Sequence, residues 1–236
     1  NMHESTQKGL GQSLDFFVVE RRLQCIELDR LQVQSCVLQG LCVCFYGNLQ
    51  RISLNSCSGV TDNLLRSLAD AHGNVLEELE VERCRAVTDY SLFYVTRKCL
   101  RLKVLNISDT SDRVSDATVL SAAELSCLES FSAAYLSTIS NMSLVLILNS
   151  PQLKHLDISG CERIDDAVFL SSNLLSSDSS LPSNLRLDRF QNLTSLSMDF
   201  CNVGSEALSS LAAASCPLKI VSFAHCTRID DEAIFL

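Results

Sequence analysis

The sequence lacks a basic surplus: 28 aspartates and glutamates outweigh 19 lysines and arginines, leaving a net charge of −9 at pH 7. A protein that grips a nucleic-acid backbone needs the opposite balance to displace counterions, so that class of partner is excluded. No run of eighteen apolar residues occurs, which excludes a membrane-spanning helix. Residues 1–22, NMHESTQKGLGQSLDFFVVERR, have no apolar h-region of a secretory signal and carry acids that a transit peptide avoids. Missing too are GxSxG, the phosphate-binding GxxxxGK, HExxH and any CxxC pair, so neither hydrolase, nucleotide nor zinc chemistry has its usual residues.

What the chain has in excess is cysteine, twelve in 236 residues. The closest pair, Cys42-Val43-Cys44, is too tightly spaced for a zinc knuckle. Most of the others recur at a fixed interval inside apolar sequence. That pattern reads as buried, reduced thiols acting as small hydrophobes, and it points to a reducing compartment, cytoplasmic or nuclear. The Asn-x-Ser/Thr triplets at Asn106, Asn141 and Asn192 would accept glycans only in a secreted chain, and are read as chance.

The interval comes from a repeat. The frame L-x-x-L-x-L-x-x-C, with other apolar residues allowed at the leucines, recurs as LQRISLNSC (49–57), LEELEVERC (76–84), LKVLNISDT (102–110) and LESFSAAYL (128–136). It continues as LKHLDISGC (153–161), LTSLSMDFC (193–201) and LKIVSFAHC (218–226), and extends backward to LQCIELDRL (23–31). The eight first leucines are spaced 26, 27, 26, 26, 25, 40 and 25 residues apart, within the leucine-rich-repeat range apart from one stretched interval. The excess falls in a Ser-rich segment at about 171–190, which reads as an insertion loop with serines open to phosphorylation.

Each unit spells out its own structure. Alternation in LxxLxL describes a short strand with one buried face. After the corner come Thr61-Asp62, Thr88-Asp89, Ser115-Asp116, Ser140-Asn141, Asp165-Asp166 or Asp230-Asp231, residue types that cap helices and suit the positive end of the helix dipole. Leucines and valines then recur at helical spacing, as at Leu64, Leu65 and Leu68. No unit buries its leucines alone, so the units must stack into an α/β solenoid, with a parallel sheet on the concave side and helices on the convex side. The corner cysteines Cys57, Cys84, Cys161, Cys201 and Cys226 then serve packing, in place of the asparagine common at that corner.

This C-x-x-[VI]-[TD]-D pattern resembles the cysteine-containing leucine-rich repeats of F-box/leucine-rich-repeat proteins and of mitotic-exit-network antagonists, over about residues 23–236. The resemblance implies a protein-binding module with no catalysis or cofactor. In many such proteins an F-box binds the adaptor of a cullin-based ubiquitin ligase and the repeats hold the substrate. Residues 1–22 are too few for an F-box and the chain has no tryptophan, so either such a module lies outside this sequence or the protein is an adaptor without one. A structural subunit fixed in a large assembly is the competing reading.

Residues 1–22 are expected to cap the first repeat through Leu10, Leu14, Phe17 and Val18, and residues 23–236 to form the eight repeats. The ending at Phe235-Leu236, inside the last helix, predicts further sequence or a covering partner. The strands' polar positions should line the concave face. Glu78, Glu80 and Glu82 form an acidic patch there, beside a shelf holding Tyr135, His155, Phe200 and His225. Such a surface would take a peptide with a basic residue and an apolar anchor. His225 adjoins Cys226, but neighbours on a strand face opposite ways and form no catalytic dyad.

Overall fold

Three residues of extended chain are all that each unit gives to the sheet. In the computed structural model, which describes residues 23–32, 34–45, 47–169, 192–213 and 217–230, the strands are β1 (Cys25–Glu27), β2 (Arg51–Ser53), β3 (Glu78–Glu80), β4 (Val104–Asn106), β5 (Ser130–Ser132), β6 (His155–Asp157), β7 (Ser195–Ser197) and β8 (Ile220–Ser222). They lie side by side in chain order, all parallel. The middle residues, from Ile26 through Ile52, Leu79, Leu105, Phe131, Leu156 and Leu196 to Val221, sit in one register, and all but the exposed Val221 pack toward the helices. The expected cap over residues 1–22, the insertion at about 171–190 and the end of unit eight lie outside the described residues.

Helices close the other layer: α1 (Ser35–Cys44), α2 (Asp62–His72), α3 (Asp89–Lys98), α4 (Asp116–Ala123), α5 (Asn141–Ile147) and α6 (Ser205–Ala213). Thr61, Thr88 and Ser115 cap α2, α3 and α4, each accepting a backbone N–H from the first turn. Between the layers runs one continuous core. It holds the first leucine of the frame at Leu49, Leu76, Leu102, Leu128, Leu153 and Leu193, and the branched residues Val60, Val87, Val114, Ile139 and Ile164 that follow the corner.

The recurring aspartate does more than start its own helix. The Asp62 carboxylate accepts the N–H and hydroxyl of Thr88 at 2.9 and 2.7 Å and the hydroxyl of Ser91 at 2.5 Å, all in the next unit. Asp89 holds Ser115 and Thr118 in the same way, and Asp116 holds Ser140 and Ser143. Each carboxylate thus clamps the cap of the following helix, fixing the stacking distance with charge-assisted bonds. Burial raises the Asp116 carboxyl, but the hydroxyl and N–H of Ser140, the hydroxyl of Ser143 and the charge of Arg163 outweigh it and hold it below the usual aspartate value.

Removal of that clamp is expected to be costly. Asp116→Ala strips three donors of their acceptor and should lower stability by about 2–3 kcal/mol in urea denaturation at pH 7. Because the folded carboxyl is depressed, its contribution is present above the unfolded aspartate value near 3.8 and disappears as pH falls through the lower folded value. The variant should therefore show a shallower acid limb than the wild type.

Candidate functional site at the rim of the sheet

A left-handed residue follows each described strand, three positions beyond its end. Immediately before the corner residue, Arg30, Ser56, Arg83, Asp109, Tyr135, Phe200 and His225 have φ between 49° and 61°, and Gly160 has 71°. The backbone requires this turn. From Arg30 through Phe200, the N–H of each such residue bonds a carbonyl of the next unit, as Tyr135 does to Ser159 at 2.7 Å and Phe200 to Ala224 at 2.8 Å. From Cys57 onward the turn sends the following corner side chain into the core, and it sends the left-handed side chain out to the rim. Only glycine adopts such a φ without strain; an L residue costs about 1–2 kcal/mol, and bulky ones are rare there.

Three aromatic rings nevertheless occupy these positions at one end of the rim. Tyr135 is 54% exposed and Phe200 is 49% exposed, so their rings serve the core little. Phe200 stacks on the exposed ring of His225, centroids 4.4 Å apart and 13° from parallel, while Tyr135 is 6.4 Å from Phe200 on the other side. Gly160 lies between them in the row and makes room. A Cβ at Gly160 would stand 2.4 Å from the Tyr135 ring. Beside Tyr135 a cavity of about 110 Å³ opens toward Arg85, Asp109 and Asp112. There Asp109 receives Arg85 at 2.8 Å and Arg83 at 3.3 Å.

The acidic residues gather at the opposite end. Glu78 and Glu80 share a cavity of about 300 Å³ with Glu27, Asp29 and a single cation, Arg51. Glu80 is partly engaged, accepting the Asn55 amide at 2.8 Å and the Ser53 hydroxyl at 3.3 Å. Lower on the same face, Glu77 is held below the usual glutamate value, foremost by its hydrogen bond from Lys103, and Glu129 likewise by that from Lys154.

The structure thus divides the expected site in two. It places Glu78 and Glu80 in the acidic cavity, and Tyr135, Phe200 and His225 on an aromatic shelf. His155 stands apart, exposed at the start of β6 between Ser130 and Ser195. Four positions need correction. Glu82, Tyr135, Phe200 and His225 are not strand residues but turn residues beyond the strand ends, and Glu82 faces Arg83 at 3.6 Å. His225 and Cys226 still diverge, but because the turn separates them rather than a strand's alternation. Sequence reasoning also missed Glu27, Asp29 and Gly160. A signal existed for Gly160: glycine, serine and aspartate all fall in the rim column, and each tolerates or favours turns.

The corner cysteines are also more than packing. The Cys57, Cys84, Cys161, Cys201 and Cys226 thiols donate to a carbonyl of the preceding unit, at 2.6, 3.2, 3.3, 3.2 and 3.1 Å. Burial pushes Cys84 and Cys161 up to about 11, and Cys99 and Cys201 up to about 12. These thiols are therefore inert near neutrality. Among the described residues no group of three or more His, Cys, Asp or Glu is placed to hold a metal ion, and no helix is long and apolar enough to cross a membrane.

Comparison with known proteins agrees with this architecture. The Leucine Rich repeat family model matches residues 149–167 and 191–212. A chain in the crystal structure of the Rad7 and Elc1 complex in yeast superimposes with a TM-score of 0.58 at 16% identity, covering 90% of this chain. The present chain spans 59% of that relative's length, and at such identity the likeness establishes the fold alone. The protein is an α/β leucine-rich-repeat solenoid.

Two outcomes are expected here. Gly160→Ala should displace the Tyr135 ring and add left-handed strain of about 1 kcal/mol, visible as a changed Tyr135 ring environment by NMR with the sheet retained. Iodoacetamide at pH 7.5 should label Cys25, Cys36 and Cys127, which reach solvent, well before Cys84, Cys99, Cys161 and Cys201 in the folded protein; mass spectrometry of digests resolves the order.

Proposed function

We propose that this solenoid is a protein-binding module without chemistry of its own, and that it serves as the substrate-binding half of an F-box-like ubiquitin-ligase receptor in the cytoplasm or nucleus. One observation carries the binding role. The rim spends conformational energy to hold Tyr135, Phe200 and His225 in solvent, where they add little to the core. Exposed, rigid aromatic rings on a scaffold are the usual anchors of protein interfaces.

The acidic cavity around Glu78 and Glu80 complements them. Four carboxylates against the Arg51 guanidinium favour a basic side chain in the client. The client is thus a segment with an apolar residue for the shelf and a lysine or arginine for the acidic end. The ligase role rests on the cysteine-type repeat pattern. The related fold in the Rad7 and Elc1 complex supports a protein partner, since that structure is itself a complex of two proteins. The compartment rests on the free cysteines of the described chain and their burial.

The test is to purify the native, full-length protein beside a Tyr135→Asn/Phe200→Asn variant. Asparagine tolerates the left-handed turn, so relief of strain offsets the lost ring contacts. Stability should change by no more than about 1 kcal/mol. Cullin-ligase subunits should accompany both proteins, and a client only the wild type. An identical set of subunits on both, with no ligase among them, would instead identify a built-in scaffold.

A further inference from the structure

The helix side carries a second surface that the rim does not explain. On α3 the chain reads Tyr90, Ser91, Leu92, Phe93, Tyr94, Val95. Leu92 and Val95 are buried, as the helical period demands, yet Tyr90 is 61% exposed and Phe93 42% exposed. A helix packed on one side should be polar on the other. The apolar character continues across neighbouring helices at equivalent places, with Leu120 on α4 and Met142 on α5 also exposed. Between α2, α3 and α4 lies a cavity of about 330 Å³, lined by Arg66, Tyr90, Phe93, Tyr94, Ala117 and Thr118 as well as Asp89.

Charge marks what fits there. Arg66 lies over the Tyr90 and Tyr94 rings at 4.9 and 4.8 Å, Arg97 over Phe93 at 4.1 Å, and Lys98 over Tyr94 at 5.6 Å. None of these three cations forms an ion pair with a described carboxylate. The nearby acids are already committed, Asp89 to Ser115 and Thr118 and Asp70 to the Tyr94 hydroxyl. A chain of net charge −9 thus keeps three cations on these rings, Arg66 lining the cavity and Arg97 and Lys98 over the Phe93 and Tyr94 rings that also line it. Stacking on a ring leaves the cation's charge open to an incoming anion.

We infer that this helix face docks an acidic segment of a partner protein, whose aromatic or branched aliphatic side chain fills the cavity between Tyr90, Phe93 and Ala117 while its carboxylates meet Arg66, Arg97 and Lys98. The surface is separate from the rim, so the two can be occupied at once, as a bridging module requires. A nucleic-acid strand is disfavoured by the acidic remainder of the chain.

The experiment is selection of a random peptide display library on the full-length protein. A selected peptide is then synthesised and measured by fluorescence anisotropy against Tyr90→Ser/Phe93→Ser and Arg97→Glu/Lys98→Glu variants, whose melting temperatures should match the wild type because the altered residues are exposed. Enriched peptides should carry aspartates or glutamates beside an aromatic or branched aliphatic residue. Their affinity should fall about 10-fold or more in the first variant and about 3-fold or more in the second. A selected set with no acid-bearing peptide in it, or acid-bearing peptides whose binding is indifferent to both variants, would overturn the proposal. So would oligouridine binding, or self-association by sedimentation, that the variants abolish.

Discussion

One backbone hydrogen bond, from the N–H of each left-handed rim residue from Arg30 through Phe200 to a carbonyl of the next unit, sets the form of the described solenoid. A three-residue strand has too few ladder bonds to hold a register alone, and this additional bond carries the parallel pairing past the strand end. It also forces the turn that sends successive residues in opposite directions. The corner thiol or hydroxyl enters the core, where it bonds backbone, and the rim side chain leaves it. Because neighbouring strands stand about 4.8 Å apart, the turn produces a row of outward side chains at nearly that spacing. The row passes from Arg30 and Arg83 to Tyr135, Phe200 and His225, and its composition rather than its geometry decides what it can hold.

The same logic of contact between units governs the motif residues. Asp62, Asp89 and Asp116 each reach forward to the next helix cap, whereas Cys84, Cys161 and Cys201 each reach back to the previous unit's carbonyl. Where both occur, as at Cys57 with Asp62 and Cys84 with Asp89, forward and backward bonds at the two ends of the turn lock the stacking distance. Such locking makes a row of surface side chains rigid, which lowers the entropy lost when a partner binds them.

Much of the architecture was legible in the sequence because it is periodic. The leucine frame located the strands, and Thr61, Thr88 and Ser115 located the helix starts. Other features depended on contacts one unit away. The aspartate's reach to the following cap has the same local signature as ordinary helix-dipole stabilisation, so spacing alone could not separate them. Tyr135 and Phe200 were assigned to strand faces although each lies three residues past its strand's end, at the position where the backbone turns left-handed. The helix-side cluster was hidden for a different reason. Tyr90, Phe93 and Tyr94 flank the buried Leu92 and Val95, and a mixed apolar stretch does not reveal which rings face out until the packing of α3 between its neighbours is known.

The account's central claim is that the strained aromatic rim, not the strand face, meets the protein partner. Site-specific photo-crosslinking tests it most directly, with p-benzoylphenylalanine placed at Phe200 or at the strand-face residue His155 of the native protein and irradiated in cells. The account predicts a discrete protein adduct from the Phe200 position and none from the His155 position. An adduct from His155 with none from Phe200 would contradict it, and would move the docking surface onto the strands themselves.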